Sequence, residues 1–315
     1  MLLSYCVVNT NGRDHLATCL DAIVANHPAD TEAEILVLDN ASDDGSADVV
    51  RDWQKANKGT LADGLRLIAL ERRLGKAAND SLLMEQARGE FCLLLNEDAE
   101  VRSGCAETLI TAMRAYPQAG AAGAQLLDAD GREIPCAWRL PGIAASLASA
   151  LLLHKRFVTE SGPGPVREVG WAQSAAMIVR REAAADIGYL DPAFFVYSDE
   201  TDFCKRLRDA GWVTLHVPAA RAIHHEQLAT DRSSERRLVE FHRNRDLYMR
   251  KHHGPLVAAV CRWLNALPYL YRAAAATILP GHSPSWYLLH ARLCLNPSGE
   301  GIREAAAAYN AGLDS

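Results

Sequence analysis

No two of the eight cysteines form a CxxC pair, no apolar run reaches the width of a bilayer, and neither sign of charge dominates. Each absence removes a class of protein. The cysteines, at positions 6, 19, 92, 105, 136, 204, 261 and 294, are scattered. That argues against a zinc site and suits a reducing compartment better than secretion. A spanning helix needs about 18 uninterrupted apolar residues. The nearest approach, Pro255 to Pro280, is interrupted by Arg262 and Arg272, and 143–153 is too short. Both stretches could lie on a membrane surface, although apolar stretches of that length more often pack on a protein's own core. The N-terminus enters a strand pattern directly, without a basic segment, apolar core and cleavage site. A cytoplasmic location is therefore expected, with the inner face of the plasma membrane as a peripheral alternative. A net charge of -6 gives no reason to expect a nucleic-acid partner. Internal repeats and low-complexity tracts are missing as well.

What is present is an ordinary globular composition, 49% hydrophobic and 23% charged over 315 residues, enough for a sizeable core. Short apolar runs at 2–8, 35–38, 66–70, 91–95, 121–127, 175–179 and 213–217 read as strands. Cys6 and Cys92 sit inside two of them as small core residues. Helical patterns at 14–26, 47–58, 77–87, 104–116 and 181–187 separate many of them. Strands alternating with helices predict an α/β fold with a doubly wound, mostly parallel sheet flanked by helices. The regular pattern fades after Asp130-Gly131, and the last part is mostly helical. The expected organisation is a nucleotide-binding half over 1–130, a catalytic and acceptor half over 131–235, and a helical extension over 236–315.

Two acids end apolar strands. Asp39 closes Ile35-Leu36-Val37-Leu38 and Asp98 follows Phe91-Cys92-Leu93-Leu94-Leu95-Asn96-Glu97. Ligands of open α/β sheets bind outside the carboxyl ends of the strands. Two acids there can divide the work of holding a nucleotide and holding its metal ion. The bland alternative for Asp39 is a turn acid capping the next helix; for Asp98 it is a solvated turn acid.

Ser4-Tyr5-Cys6-Val7-Val8-Asn9-Thr10-Asn11, then Leu38-Asp39-Asn40-Ala41-Ser42-Asp43-Asp44-Gly45-Ser46, then Leu94-Leu95-Asn96-Glu97-Asp98, resemble successive motifs of the family 2 glycosyltransferases, which have the GT-A fold. Further matches extend the resemblance to about residue 253, closest to the rhamnosyltransferase-like branch. The resemblance implies that Thr10, Asn11, Asp39 and Asn40 line a nucleoside pocket. Thr10 stands where an aromatic is often found. It implies that Asp98 binds a divalent metal, Mg²⁺ or Mn²⁺, with Asn96 in place of the first acid of a DxD motif. Glu97 is expected to point away or stay solvated. Gly75-Lys76-Ala77-Ala78-Asn79 is similar to a phosphate-side segment, so Lys76 and Asn79 are candidates there. A solvated lysine and a helix cap are the alternatives. Trp171 would line the sugar or acceptor site, or be a buried aromatic. His224, the better placed of His224-His225, would add a metal ligand.

Tyr197-Ser198-Asp199-Glu200-Thr201-Asp202 resembles the segment that carries the family's general base. The acid pair is reversed here, so Glu200 takes the base position and Asp199 competes with it. Both could instead serve a helix dipole. Asp202 and Arg206 have the spacing of a surface ion pair. A late basic stretch, Arg232 to His253, could attract a diphosphate or an anionic head group, or be a solvated helix face.

The expectation is an inverting glycosyltransferase moving a sugar, with rhamnose as one candidate, from a nucleotide-diphosphate donor to a glycan, glycolipid or other hydroxyl acceptor in cell-surface polysaccharide synthesis. The rivals are a sugar nucleotidyltransferase and a nucleotide-sugar-binding module without catalysis. Oligomeric state is open.

Overall fold

A computed structural model describes residues 1–225, 235–279 and 281–314. Arg232, in the late basic stretch, and Pro280, at the end of the second apolar stretch, lie outside the described residues. The chain runs β1 (Leu3–Asn9), α1 (Arg13–Ala25), β2 (Ala33–Asp39), α2 (Ser46–Ala56), β3 (Arg66–Ala69), α3 (Lys76–Gln86), β4 (Phe91–Asn96), β5 (Ala99–Val101), α4 (Cys105–Ala115) and β6 (Ala119–Leu127). It continues through β7 (Ala137–Trp138), α5 (Ile143–Ala150), α6 (His154–Phe157), β8 (Arg167–Val169), β9 (Trp171–Ala172), β10 (Ala176–Arg180) and α7 (Arg181–Asp186). It ends with α8 (Asp199–Asp209), β11 (Val213–His224), α9 (Glu235–Ala276), α10 (Pro284–Leu295) and α11 (Ile302–Gly312).

By internal contacts the chain forms two compact units. The first comprises Met1–Trp138, Glu160–Pro192 and Glu200–Gln227; the second comprises Arg139–Thr159, Ala193–Asp199 and Leu228–Ser315. The first unit holds a nine-stranded sheet in the order β3-β2-β1-β4-β10-β6-β11-β5, with β8 paired to β11. The strands β3, β2, β1 and β4 are parallel. Beyond them the sheet is mixed, because β10 runs antiparallel to both β4 and β6. Alternate residues of β1 feed opposite layers, as the two-residue period of a strand requires. Leu3, Tyr5 and Val7 join the layer packed by Leu16, Leu20 and Leu109 of α1 and α4. Cys6 and Val8 join the layer packed by Leu83 of α3 and Phe203 of α8. The sheet is thus covered on both faces, and its strand ends are left for ligands.

The strand expected at 213–217 runs on to His224. It accommodates Pro218 because the pairing with β6 shifts between Val217 and Arg221. Proline cannot donate to a ladder, so an irregularity is where a strand tolerates it. Past the shift, Ala222, Ile223 and His224 pair with Val101, Glu100 and Ala99 of β5. The short strand β5 was not foreseen in the sequence, and it places His224 beside the turn that holds Asp98.

The second unit is helical. In α9, Gly254 has φ +81°, so α9 is two helices joined at a glycine. Phe194, Tyr248, Met249, Ala258 and Cys261 form one of its cores. Leu238, Val239 and Leu293 form another.

Candidate active site

The carboxyl ends of β1, β2 and β4 are adjacent. Asn9 is opposite Asp39, and Val8 is opposite Asn96. One strand separates β2 from β4, so their ends lie about 10 Å apart at ordinary strand spacing. Asp39 is buried. Its Oδ1 accepts from Asn9 Nδ2 at 2.7 Å, and its Oδ2 accepts from the Ser42 N–H at 3.2 Å. The carboxylate is therefore fixed in place and still has lone pairs for a further donor. Asn40 ties the neighbouring loops together. Its Nδ2 donates to Thr10 Oγ1 at 3.1 Å and to the Leu74 carbonyl at 3.0 Å, and its Oδ1 accepts from the Leu74 N–H at 2.7 Å. Asn11 has φ +56° and exchanges hydrogen bonds with Asp43 at 2.7 and 3.0 Å. Thr10 and Asn11 are exposed.

Arg73, which no sequence pattern singled out, reaches into this loop cluster. Its Nε donates to the Ala41 carbonyl at 3.3 Å and its guanidinium lies 3.2 Å from Asp43. It is a fixed cation beside Asn40 and Leu74. Lys76, at the start of α3, pairs with the buried Asp80 at 2.5 Å. Asn79, one turn into α3, is buried with no hydrogen-bond partner for either side-chain atom. It is not a helix cap; the cap position belongs to Gly75.

At the end of β4 three side chains meet. His224 Nε2 lies 3.4 Å from Asp98 Oδ1 and 3.2 Å from Asn96 Nδ2. Asp98 and His224 are buried, and Asn96 Oδ1 has no hydrogen-bond partner. His225 is directed elsewhere: its Nε2 is 2.6 Å from Glu100 Oε1 and its ring stacks on His15. Glu97 is half-buried, and its side chain fills the space that a Cβ on Gly12 would need, so it is not a freely solvated acid.

Among the described residues, no three His, Cys, Asp or Glu side chains form a cage for an ion. A carboxylate, an imidazole and an orphaned amide oxygen nevertheless suit Mg²⁺ or Mn²⁺, which take few protein ligands and complete their shells with phosphate oxygens and water. The donor set fits a metal that arrives with a diphosphate.

Trp171 is half-buried and stacks on Trp138, ring centroids 4.4 Å apart, through the β7–β9 pair. Trp138 was not singled out in the sequence, because nothing local indicates its partner strand. Asp202 and Arg206 do pair, at 2.7 Å, but Asp202 is buried and Arg206 also donates to the carbonyls of Ile187 and Tyr189. The expected surface pair is instead an internal clamp on the chain leading to α8.

Asp199 and Glu200 open α8. Tyr197 and Ser198 just before them have φ +66° and +59°, unusual for residues with side chains. Asp199 is buried, and both its carboxylate oxygens lack hydrogen-bond partners. Glu200 is half-buried. Strained backbone and an unpaired buried carboxylate both cost stability, and such costs concentrate at functional sites.

The profile of Glycosyl transferase family 2 matches residues 4–133, which include the ends of β1, β2 and β4. Residues 4–133 thus carry a family 2 glycosyltransferase domain. The N-acetylglucosaminyl-diphospho-decaprenol L-rhamnosyltransferase of Mycobacterium tuberculosis is 28% identical over 260 residues, 78% of this chain and 84% of the relative. Among solved structures, the mannosyltransferase PcManGT from Pyrobaculum calidifontis, in complex with GDP-Man and Mn²⁺, aligns with a TM-score of 0.58 at 19% identity. That alignment covers 99% of this glycosyltransferase and 87% of PcManGT. GalNAc-T7 with UDP, GalNAc and Mn²⁺ aligns with a TM-score of 0.59 at 17% identity, over 99% of this chain and 57% of that one. These structures establish the GT-A fold. The nucleotidyltransferase and binding-module alternatives are not favoured.

Proposed function

We propose that this glycosyltransferase moves a deoxyhexose of the rhamnose class from a nucleoside diphosphate to a hydroxyl of a polyprenyl-diphosphate-linked sugar, with inversion. The donor and acceptor classes are supported by the named activity of the mycobacterial relative. The observation that carries the catalytic reading is the meeting of Asp98, His224 and Asn96 at the end of β4, one strand removed from Asp39. Asp39 accepts a hydrogen bond from the nucleoside, and Asn9 and Ser42 hold it for that role. Asn40 fixes the loops around it. Thr10, Asn11 and Asn79 line the pocket, and Lys76 and Arg73 add positive charge near the phosphates. Asp98 and His224, helped by Asn96, would hold Mg²⁺ or Mn²⁺. There it would supply positive charge to offset that of the leaving nucleoside diphosphate. Trp171, braced by Trp138, offers an aromatic face to a sugar.

Glu200 takes the proton from the acceptor hydroxyl. The freed oxygen bonds to the anomeric carbon as the bond to the diphosphate breaks on the opposite face. Glu200 is favoured over Asp199 because a base must be reachable, and Asp199 is fully buried while Glu200 is only partly so. Glu200→Gln should abolish transfer with donor affinity nearly unchanged. Placed general bases typically contribute about 10²–10⁴-fold. Asp199→Asn should do less. Product formation and donor titration on both variants check this; the reverse ranking would move the base to Asp199.

A further inference from the structure

The second unit carries an apolar surface with an unusual charge setting. In α9, Leu256, Val260, Trp263 and Leu270 recur on one side of the helix, within about 80° of arc at 3.6 residues per turn. Leu256 is 83% exposed and Trp263 is 64% exposed. The apolar character continues past the helix end to Ile278, 84% exposed. Large apolar side chains scattered singly on a surface are normal; a continuous stripe of them is not.

A second apolar feature lies in the same unit. After α5, three successive leucines, Leu151 to Leu153, are all exposed, followed by His154, Lys155, Arg156 and an exposed Phe157. Leu152 is held at φ +60°, a conformation that a leucine rarely adopts. The turn therefore presents these side chains at a conformational cost. The elements bearing the two features pack together: α5 lies against α9, and His253 Nε2 is hydrogen-bonded with the Pro141 carbonyl at 2.9 Å.

Charge narrows the choice of occupant. Between Glu133 and Glu160, and again between Asp246 and Glu300, the sequence contains no acidic residue, although the chain as a whole is -6. Asp246 pairs with Arg250 and Arg262. Lys155, Arg156 and Arg272 have no acidic partner among the described residues. A second copy of the chain would bring two basic surfaces together. Among the described residues no helix is long and apolar enough to cross a membrane. A helix with an apolar face, an interfacial tryptophan and basic flanks instead suits the plane of a bilayer interface.

We propose that the second unit docks on an anionic phospholipid surface. The Leu151–Phe157 turn and the Leu256–Ile278 stripe enter the interface, and Lys155, Arg156 and Arg272 meet the head groups.

The experiment is vesicle flotation of the full chain, without donor or acceptor, so that its result is independent of the sugar chemistry. Vesicles of phosphatidylcholine alone are compared with vesicles that also contain phosphatidylglycerol. Binding is expected to the second kind and to weaken as salt is raised. Lys155→Glu with Arg156→Glu should reduce it about tenfold or more, since each basic residue near an anionic surface adds substantially to affinity. Leu151→Glu with Phe157→Glu, and separately Trp263→Glu, should abolish it. All these positions are exposed, and an unchanged melting temperature verifies that the variants fold. The proposal is overturned if the folded wild type floats with neither vesicle, if it floats equally with both, or if Trp263→Glu only dissolves a dimer that does not bind vesicles.

Discussion

Asn96 and His224 are 128 positions apart in sequence, yet their side chains touch at the end of one strand. The acids at the ends of β2 and β4 were visible in the sequence because each ends an apolar run. The preference for His224 over His225 rested on the resemblance alone, since neighbours at a strand end face different surroundings and pairing with β5 decides which one meets Asp98. Arg73 and Trp138 were missed for a related reason: their partners, the Ala41 carbonyl and Trp171, are brought to them by tertiary pairing alone. Asp98→Ala should remove the metal dependence of nucleoside diphosphate binding, which calorimetry with and without Mn²⁺ measures directly. Asp39→Ala should act differently. Its carboxylate serves a part of the donor that does not react, so KM for donor should rise while kcat stays nearly constant. Initial rates across donor concentrations separate the two effects.

At the scale of elements, the alternation of strands and helices in the first 130 residues was legible because β1, β2 and β4 are short, almost wholly buried apolar runs with helices between. The strand expected at 175–179 is β10, but its antiparallel direction, and the short β5, β7, β8 and β9, were harder to foresee. Strands of two or three residues have too little pattern to show a period, and direction is set by connections that cross the sheet. Register, too, depends on close fits. Gly89 precedes β4, and a Cβ there would fall 2.7 Å from the Ser4 nitrogen and 2.8 Å from the Leu3 carbonyl carbon, both backbone atoms of β1. The Gly89 N–H also donates to Ser4 Oγ at 2.9 Å, and that hydroxyl donates to the buried Glu34 at 2.8 Å. Gly89→Ala therefore has to move a strand, and we expect a loss of about 1–3 kcal/mol, the usual cost of overpacking a tight interior. Urea denaturation with an unchanged slope would show it as a shift in midpoint.

For the whole molecule, three buried histidines set an acid limit. Burial pushes His216 down to about 4, with Arg167 adding to the shift. Burial, reinforced by Arg272, does the same to His290, also to about 4. Burial together with His290 and Arg245 holds His242 well below the ordinary value. In the unfolded chain each would take a proton near 6.5, so between 6.5 and 4 the unfolded state binds more protons than the folded one. Their contribution to stability is complete above pH 6.5 and is lost as pH falls toward 4. The melting temperature should drop over that window. His290→Phe, which keeps an aromatic ring against Tyr269, should flatten the drop. The eight buried cysteines offer a complementary view of the same molecule. With Cys6 and Cys92 in the sheet and Cys261 and Cys294 among the terminal helices, a thiol reagent can act only when the surrounding structure opens. The rate at which each cysteine is modified, resolved by peptide mass, then measures how often its own unit opens, and the natural chain comes supplied with such clocks in both halves.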